Sequence, residues 1–260
     1  RRVVGVEPPL AVEEPVGELG GVTVERNEVV ARDGDGERQP AARRRVAISW
    51  SEFDRQANRF ANALLARGIG KGERVVHLMM NCIEWLPAYF GILRAGCWAV
   101  PLNFRLEAEL ILACSELAEP RLFLFGEEFV ERVGVVRPRL NSSVDYVFLG
   151  PEERRPDFAQ GYADFICDVT AEDPGIPLEI TDDAGLYFTS GTTGLPKGVR
   201  LTHRNLEHAC YVENHHHRQR HQDNFLCIPP LYHTGAKMHW FGNFIVGARA
   251  VILRGVRPDW

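Results

Sequence analysis

Ten consecutive residues, TSGTTGLPKG at 189–198, combine hydroxyl groups, glycines and one lysine directly after the apolar run Ala184–Phe188. Glycines let backbone amides converge on an anion without obstruction by a Cβ atom. Threonine and serine hydroxyls add hydrogen-bond donors, and a lysine adds a positive charge suited to phosphate. The pattern predicts a polyphosphate site built from Thr189, Ser190, Gly191, Thr192, Thr193, Gly194 and Lys197. The alternative is a mobile Gly/Thr turn that joins two elements.

Two better-known nucleotide motifs do not fit the chain. In the loop G-x-x-x-x-G-K-[ST], the lysine follows a glycine and precedes a hydroxyl residue, whereas Lys197 lies between Pro196 and Gly198. The stretch GIGKG at 68–72 lacks the third glycine of a dinucleotide fingerprint and follows a helical pattern. We interpret it as a helix stop.

The elements that must position the loop alternate between short apolar runs and helical patterns. Runs of this kind, recurring about every two dozen residues with helices between them, predict a parallel sheet covered on both faces. The predicted strands are Val75–Met79, Cys97–Leu102, Leu122–Phe125 and Tyr146–Leu149, and the predicted helices are 84–96, 105–119 and 127–133. The fold class is therefore α/β, with largely parallel sheets flanked by helices.

The glycine-rich loop then leaves the carboxyl end of the strand at 184–188, the edge at which such sheets bind ligands. We expect DDAGLYFTSGTTGLPKGVRLTHRNL, residues 182–206, to form a strand, the loop and the start of another helix. The last thirty residues predict a strand, a Pro-Pro break, an apolar helix and a further strand.

The first ordered element is predicted to be an amphipathic helix in SWSEFDRQANRFANALLARG. Ser51 is predicted to cap it, with Asp54 in the capping-box position. Gly68 is predicted to end the helix. An apolar stripe at helical spacing faces the core, formed by Phe53, Ala57, Phe60, Ala61, Leu64 and Leu65. Residues 1–45 show no useful periodicity and are predicted to be irregular.

Composition narrows the class of protein. The chain has 260 residues with 45% hydrophobic and 25% charged residues, typical of a globular protein. A net charge of −5 gives no electrostatic reason to expect nucleic acid or a membrane surface. The six cysteines form no C-x-x-C pair, which favours buried thiols. No apolar run reaches the ~18 residues of a membrane span. We therefore expect a cytoplasmic enzyme or binding protein.

A histidine cluster, ENHHHRQRH at 213–221, suggests a second type of chemistry. His217 and His221 are four residues apart, so one helix face could present both to a metal ion. The surrounding spacing matches no metal signature, and the alternative is a solvated helix end. Asp182 and Asp183 are expected in the turn before the strand and not on magnesium.

Three stretches together resemble the AMP-forming adenylating enzymes, which include acyl-CoA synthetases, luciferases and peptide-synthetase adenylation domains. YFTSGTTGLPKGVRLTHRN (187–205) is similar to their phosphate-binding motif. NCIEWLPAYFGILRAGCWAVPLNFRL (81–106) resembles an early helix–strand segment, and IPPLYHTGAKMHWFG (228–242) resembles their P-x-x-H-x-G segment. The resemblance covers roughly residues 46–260, which implies the first part of a layered αβαβα N-terminal domain.

The resemblance implies a reaction. A carboxylic acid attacks the α-phosphate of ATP to give an acyl-adenylate and pyrophosphate, and the thiol of coenzyme A then takes the acyl group. Residues 189–197 would bind the β- and γ-phosphates, with Lys197 as the cation. His233 would line the junction between acyl pocket and adenylate and orient the carboxylate; the alternative is a capping or core histidine. Tyr232, Met238, Trp240 and Phe241 are either acyl-pocket walls or plain core.

The implied partners are a small-molecule apolar acid, fatty or aryl, together with ATP, Mg²⁺ and coenzyme A as co-substrate; a homodimer stays open. The metal's carboxylate ligand, the adenine and ribose contacts and a mobile domain with a catalytic lysine are expected beyond Trp260, so the 260 residues alone are expected to be inactive. The alternatives are a carrier-protein thiol as acceptor and a nucleotide-binding module without turnover. Pyrophosphate release distinguishes an enzyme from a binding module, and the dependence on the acceptor distinguishes the two enzymes.

Overall fold

The computed structural model describes residues 21–27, 43–189 and 196–254, apart from the side chains of 21–27, 43–45, 238 and 239. Strands and helices alternate along these residues. The strands are β1 (Gly21–Asn27), β2 (Arg43–Ser49), β3 (Arg74–Leu78), β4 (Trp98–Pro101), β5 (Leu122–Gly126), β6 (Asp145–Leu149), β7 (Gln160–Gly161), β8 (Asp183–Thr189), β9 (Lys197–Thr202), β10 (Asn224–Cys227) and β11 (Arg249–Leu253). The helices are α1 (Trp50–Ala66), α2 (Trp85–Arg94), α3 (Ala108–Ala118), α4 (Val130–Val136), α5 (Tyr162–Ile166), α6 (His203–His217) and α7 (Thr234–Val246).

The larger sheet has seven strands in the order β7-β6-β5-β3-β4-β8-β9. Every neighbouring pair in it is parallel except β8 and β9, which are antiparallel. The four strands predicted from apolar runs are β3, β4, β5 and β6, each displaced by at most one residue at either end. The predicted α/β fold with a largely parallel sheet is confirmed.

Both faces of this sheet are buried, as the crossover helices require. Val75 and Val76 are consecutive residues of β3, and neither side chain is exposed to solvent. Val75 belongs to a core cluster that contains residues of α1, α2 and α7. Val76 belongs to a second cluster with residues of α3 and α4 on the opposite face. Two helical layers therefore cover the sheet.

A smaller sheet has four strands in the order β10-β11-β1-β2. β1 lies parallel to β11, with Val22 opposite Ala250, and antiparallel to β2. The side chains of Ala250 and Ile252 join the cluster of α1, α2 and α7, so this sheet packs on the same helices. The prediction that residues 1–45 are irregular is therefore wrong at β1 and at the start of β2, while the domain boundary at residue 45 stays a prediction.

The N-cap of helix α1 lies two residues earlier than predicted. Ser49 is the N-cap, and its hydroxyl accepts a hydrogen bond of 3.1 Å from the amide of Glu52. Ser51 therefore lies inside the helix, and Asp54 forms an ion pair with Arg94 at 2.6 Å. The predicted stripe is confirmed as the buried face, with Leu65 only partly buried, and Gly68 follows the helix at φ +71°. The cap was misplaced because both serines precede the same apolar periodicity.

Two further observations concern the described residues as a whole. All six cysteines are unpaired thiols, and five of them are buried while Cys167 is exposed. None of the described helices combines the length and the apolar character that crossing a lipid bilayer requires.

Candidate functional site

The glycine-rich loop connects the two strands of a β-hairpin. β8 ends at Thr189 and β9 begins at Lys197, and these two residues lie directly opposite each other in the antiparallel ladder. Both are exposed at the end of the hairpin. The structure thus brings together Thr189 and Lys197, two of the predicted phosphate ligands. The others, Ser190, Gly191, Thr192, Thr193 and Gly194, lie outside the described residues.

β9 corrects one expectation. The loop was predicted to lead straight into a helix, whereas a six-residue strand intervenes and α6 begins at His203. Thr202 caps α6, and its hydroxyl accepts a hydrogen bond from the amide of Asn205. β9 was missed because its first four residues are exposed, and the alternation of Val199 and Leu201 with Arg200 is too short to indicate a strand.

Close packing explains two glycines of the hairpin, Gly198 beside the loop and Gly185 towards the base. A Cβ atom at Gly198 would lie 2.9 Å from Cδ1 of Leu186, on the paired strand. A Cβ atom at Gly185 would lie 2.7 Å from the carbonyl oxygen of Ala99, where β8 adjoins β4. These glycines allow the close approach that fixes the position of β8 in the sheet.

His233 is the residue immediately before α7, at its N-cap position. Its side chain makes no capping hydrogen bond and is exposed, while its amide donates to the carbonyl of Pro230 at 3.1 Å. The imidazole lies 4.2 Å from the ring of Tyr232, measured between centroids. Tyr232 in turn meets the ring of Phe104 edge to face at 5.1 Å. Phe104 follows β4, so His233 lies near the carboxyl edge of the larger sheet.

The pKa of His233 is lowered from its ordinary value. Partial burial contributes most, and the positive charges of Lys237 and Arg105 contribute further. The imidazole is therefore neutral at neutral pH. A neutral imidazole can donate one hydrogen bond and accept another, which suits the orientation of a carboxylate oxygen.

Asn81, just after β3, fastens the turn of residues 229–233 that precedes α7. Its amide nitrogen donates to the carbonyls of Pro229, at 3.1 Å, and Leu253, at 3.0 Å. Its amide oxygen accepts from the backbone amide of Leu231 at 2.8 Å. Sequence analysis did not identify this residue, although an asparagine directly after a buried parallel strand is a recognisable signal.

Lys237, the fourth residue of α7, was also missed and is fully buried. Its ammonium donates to the carbonyl oxygens of Leu231, at 3.0 Å, and Tyr232, at 3.2 Å. It also lies 4.6 Å from the ring centroid of Tyr187, on β8. Burial lowers its pKa well below the ordinary range. A single lysine inside the apolar pattern GAKMHWFG is the signal that could have identified it.

Around this ammonium lies a buried group of aromatic and polar side chains. The hydroxyls of Tyr89 and Tyr187 form a hydrogen bond of 2.6 Å. The ring of His77 packs 4.5 Å from that of Trp85, and neither of its ring nitrogens has a hydrogen-bond partner among the described residues. Burial, and secondarily the charge of Lys237, holds the pKa of His77 well below its usual range. His77 is therefore a neutral core residue.

The candidate acyl-pocket walls divide into three groups. Trp240 and Phe241 are core residues, since Trp240 packs on Phe244 at 4.1 Å and Phe241 on Phe90 at 5.1 Å. Tyr232 lies beside His233, as described above. The side chain of Met238 lies outside the described residues. Of the two interpretations, the structure supports plain core for Trp240 and Phe241.

The histidine cluster does not assemble a metal site in the described part of the chain. There, no group of three His, Cys, Asp or Glu side chains lies close enough to hold an ion. α6 ends at His217, whose Nε2 lies 3.1 Å from a carboxylate oxygen of Glu213. His221 lies beyond the helix and contacts the carbonyl of Val246 through Nδ1 at 3.1 Å. The two histidines therefore do not share a helix face.

The two aspartates before the loop strand have structural partners. Asp182 lies in the turn, as predicted, and forms an ion pair with Lys71 at 2.6 Å. Asp183 is the first residue of β8 and pairs with Arg200 of β9 at 3.3 Å. Both carboxylates are therefore engaged in ion pairs near the start of β8, and exposed pairs of this kind contribute little to stability.

Comparison with known proteins agrees with this architecture. The chain matches the AMP-binding enzyme family over residues 29–260, which extends the resemblance seen in the sequence towards the N-terminus. It is 32% identical over 223 residues to crotonobetaine/carnitine–CoA ligase of Proteus mirabilis, covering 82% of this chain and 42% of the relative. It is 29% identical to 3-hydroxybenzoate–CoA/4-hydroxybenzoate–CoA ligase of Thauera aromatica, covering 90% of this chain and 45% of the relative.

Solved structures give the same result. The inhibitor-bound N-terminal domain of FACL13 from Mycobacterium tuberculosis superimposes with a TM-score of 0.73 at 25% identity, covering 82% of this chain and 52% of that one. ATP-bound MatB from Rhodopseudomonas palustris gives a TM-score of 0.71 at 25% identity, covering 82% and 41%. The chain thus spans less than half the length of the curated relatives named above. By sequence and by fold, it belongs to the AMP-binding enzyme family.

Proposed function

We propose that the complete protein is an acid–CoA ligase that activates an apolar carboxylic acid through an acyl-adenylate. A carboxylate oxygen attacks the α-phosphorus of ATP, and the bond to the pyrophosphate oxygen breaks. The sulfur of coenzyme A then attacks the acyl carbon, and AMP leaves. Family membership supports the adenylating class, and the names of both curated relatives, each a CoA ligase, support the thiol acceptor.

The observation that carries the proposal is the pairing of Thr189 with Lys197 at the carboxyl edge of the larger sheet. Negative charge develops on the pyrophosphate as it departs, so a fixed cation and hydrogen-bond donors there lower the barrier. The hairpin ladder holds Lys197 at the end of β8, and both side chains are exposed to a ligand. We assign the β- and γ-phosphates of ATP to the loop between these two residues.

A magnesium ion has no ready ligand set in the described part of the chain. In the described residues, no group of three possible ligands converges, and Asp182 and Asp183 are both engaged in ion pairs. The residues present do not fit a metal centre of their own. We therefore assign no step to a metal bound by this chain.

His233 is proposed to orient the acid. Its exposed imidazole is held at the start of α7, and its lowered pKa keeps it neutral. The charge of Arg105 acts on the same imidazole, which favours the approach of an anionic carboxylate. The edge-to-face pair of Tyr232 and Phe104 beside it supplies apolar surface. That surface supports an apolar acid, fatty or aryl.

The test is pyrophosphate release by the complete protein with ATP and a panel of aliphatic and aromatic acids, with and without coenzyme A. The proposal predicts release that depends on the acid and an acyl thioester that forms only with coenzyme A. An acyl-adenylate that coenzyme A does not discharge, but a carrier-protein thiol does, would move the protein to the other acceptor class. ATP binding without release would identify a nucleotide-binding module.

The His233→Ala variant tests the assignment of the acid. We expect its KM for the acid to rise at least tenfold while ATP binding stays near wild type, because the imidazole contacts only the carboxylate side. His208→Ala, a histidine on α6, is the matched control and should leave both parameters unchanged. Collapse of ATP affinity with normal handling of the acid would contradict the role of His233.

A further inference from the structure

Lys237 is a buried lysine, and the described residues place no anion beside it. Its side chain has no exposure to solvent, and the described part of the chain places no carboxylate within ion-pair distance of its ammonium. It also lies in the first turn of α7, where the helix dipole disfavours a positive charge. A buried charge of this kind opposes folding unless its hydrogen bonds compensate. An apolar residue of similar length would avoid that penalty.

The contacts of the ammonium are concentrated on one small part of the chain. Two of its hydrogen bonds go to Leu231 and Tyr232, in the turn that ends at His233. These carbonyls precede the first residue of α7, so they are not used by helical hydrogen bonds of that helix. Asn81 holds the other end of the same turn through Pro229 and the amide of Leu231.

The remaining face of the ammonium is directed towards aromatic rings. The nearest is Tyr187, whose ring centroid lies 4.6 Å from Nζ, at a distance typical of a cation–π contact. Tyr187 lies on β8 two residues before Thr189, where the glycine-rich loop begins. The hydroxyl of Tyr187 is fixed by Tyr89 of α2. One side chain therefore links the turn before His233 with the strand that leads into the loop.

We propose that Lys237 is a positioning residue that fixes the turn of His233 against β8, and thereby sets the acid-orienting imidazole relative to the phosphate end of the site. This inference rests on the proposed role of His233. Lys237 acts through backbone carbonyls and an aromatic ring, and it touches neither substrate. Misplacement of a substrate-orienting group by about 1 Å can reduce rates by roughly a hundredfold, so such a link has a measurable effect.

A second effect follows from charge. The groups that act on the imidazole of His233 are Lys237 from α7, Arg105 from the segment after β4, and the adjacent phenol of Tyr232. Both cations lower the pKa of His233. Removing the charge of Lys237 should therefore raise that pKa, whereas a purely steric role would leave it unchanged.

The experiment compares Lys237→Met and Lys237→Gln with Lys71→Met in the complete protein. Met removes the charge and both hydrogen bonds, whereas Gln retains a donor. Lys71 is a half-exposed lysine whose ion pair with Asp182 lies away from His233, so its replacement controls for the loss of a lysine. KM values for acid and ATP are measured, and the pKa of His233 is followed by NMR titration.

We expect Lys237→Met to raise the KM for the acid about tenfold or more, with the KM for ATP within twofold of wild type and a raised pKa of His233. In the KM for the acid, Lys237→Gln should fall between Met and wild type, whereas in the pKa of His233 it should match Met, because both variants lack the charge. Lys71→Met should match wild type. Equal changes for acid and ATP, or an unchanged pKa of His233, would overturn the proposal. Failure of both Lys237 variants to fold would also overturn it, because the lysine would then be required by the fold as a whole.

Failure of the proposed function is distinguishable from failure of this inference. If the wild-type protein releases no pyrophosphate with any acid, the function is wrong, and the NMR titration alone then decides the role of Lys237. If the wild-type protein turns over and Lys237→Met behaves like Lys71→Met in both readouts, only the positioning role is refuted.

Discussion

Replacing Asn81 with alanine should remove the attachment that joins β3, the end of β11 and the turn before His233. The side chain is 3% exposed and makes three hydrogen bonds, at 2.8, 3.0 and 3.1 Å. All three partners belong to the backbone, at Pro229, Leu231 and Leu253. Alanine leaves the amide of Leu231 unpaired in the interior and removes the partly buried donor of the carbonyls of Pro229 and Leu253.

The magnitude follows from these contacts. A hydrogen bond contributes about 0.5–1.5 kcal/mol net, and a buried polar group left unpaired costs about 1–3 kcal/mol. Water that reaches the opened turn recovers part of this loss. We therefore expect Asn81→Ala to reduce the free energy of unfolding by roughly 3 kcal/mol, which is a large share of the stability of an ordinary domain.

The assay is urea unfolding of the complete protein, with Asn62→Ala as the matched control. Asn62 on α1 donates to two backbone carbonyls, of Thr170 and Glu172, both at 2.9 Å. It is half-buried, so water replaces its bonds, and its loss should cost under about 1 kcal/mol. The variant should also raise the KM for the acid, because the turn that carries His233 is loosened.

One result would refute this reasoning. If Asn81→Ala and Asn62→Ala shift the unfolding midpoint equally, with the same dependence on urea, the three bonds of Asn81 do not fasten the turn. Asn81→Asp gives a second comparison. It keeps the acceptor for Leu231 but places a carboxylate oxygen against two carbonyls, so it should be at least as destabilising as alanine.

Three further outcomes are expected. Lys197→Ala should slow pyrophosphate release at least tenfold with little effect on stability. A normal rate would refute the assignment of the ATP phosphates to the glycine-rich loop. Gly185→Ala should destabilise by roughly 2 kcal/mol, because its Cβ would lie 2.7 Å from a backbone oxygen, whereas Gly134→Ala on α4, which meets open space, should stabilise by about 0.5–1 kcal/mol. Burial lowers the pKa of His203 from 6.5 to about 4, so the stability from its neutral form is complete above pH 6.5 and lost as the pH falls towards 4. Between pH 7.5 and 5, His203 should cost the wild type about 2 kcal/mol of its free energy of unfolding, and His203→Gln should not show this part of the decrease. Denaturant unfolding at both pH values measures the difference.

Apolar runs predicted the larger sheet well because a strand that is buried on both faces has apolar residues at consecutive positions. In β3, consecutive valines at 75 and 76 serve two different cores, so the strand appears as a continuous apolar run. The stripe on α1 was equally clear, since its members face one layer. Elements of this kind are specified by their own residues.

Other elements depend on distant partners. β1 is paired with β11 at the far end of the chain, and its own sequence, GVTVERN, is short and half polar. α1 begins at Trp50, which packs on Phe244 at 4.4 Å, and its cap is Ser49 in place of Ser51. Neither partner can be identified from local pattern.

The residues of the candidate site likewise fall into two groups, those that were predicted from the sequence and those that were missed. Thr189, Lys197 and His233 were predicted because their motif concentrates unusual residue types in a few positions. Asn81 and Lys237 were missed because their partners are backbone carbonyls, which every residue carries. Sequence alone does not indicate which carbonyl a buried donor will meet.

The parallel pairing of β1 with β11 has a consequence for biosynthesis. Val22 meets Ala250, so β1 cannot complete its pairing until residue 250 has been synthesised. Until then, β1 and β2 form at most a two-stranded ribbon, in which the edge of β1 that will meet β11 is unpaired, and such a ribbon is marginal by itself. We expect this edge to be the segment that nascent-chain chaperones protect, and the smaller sheet to be the last part of the chain to close.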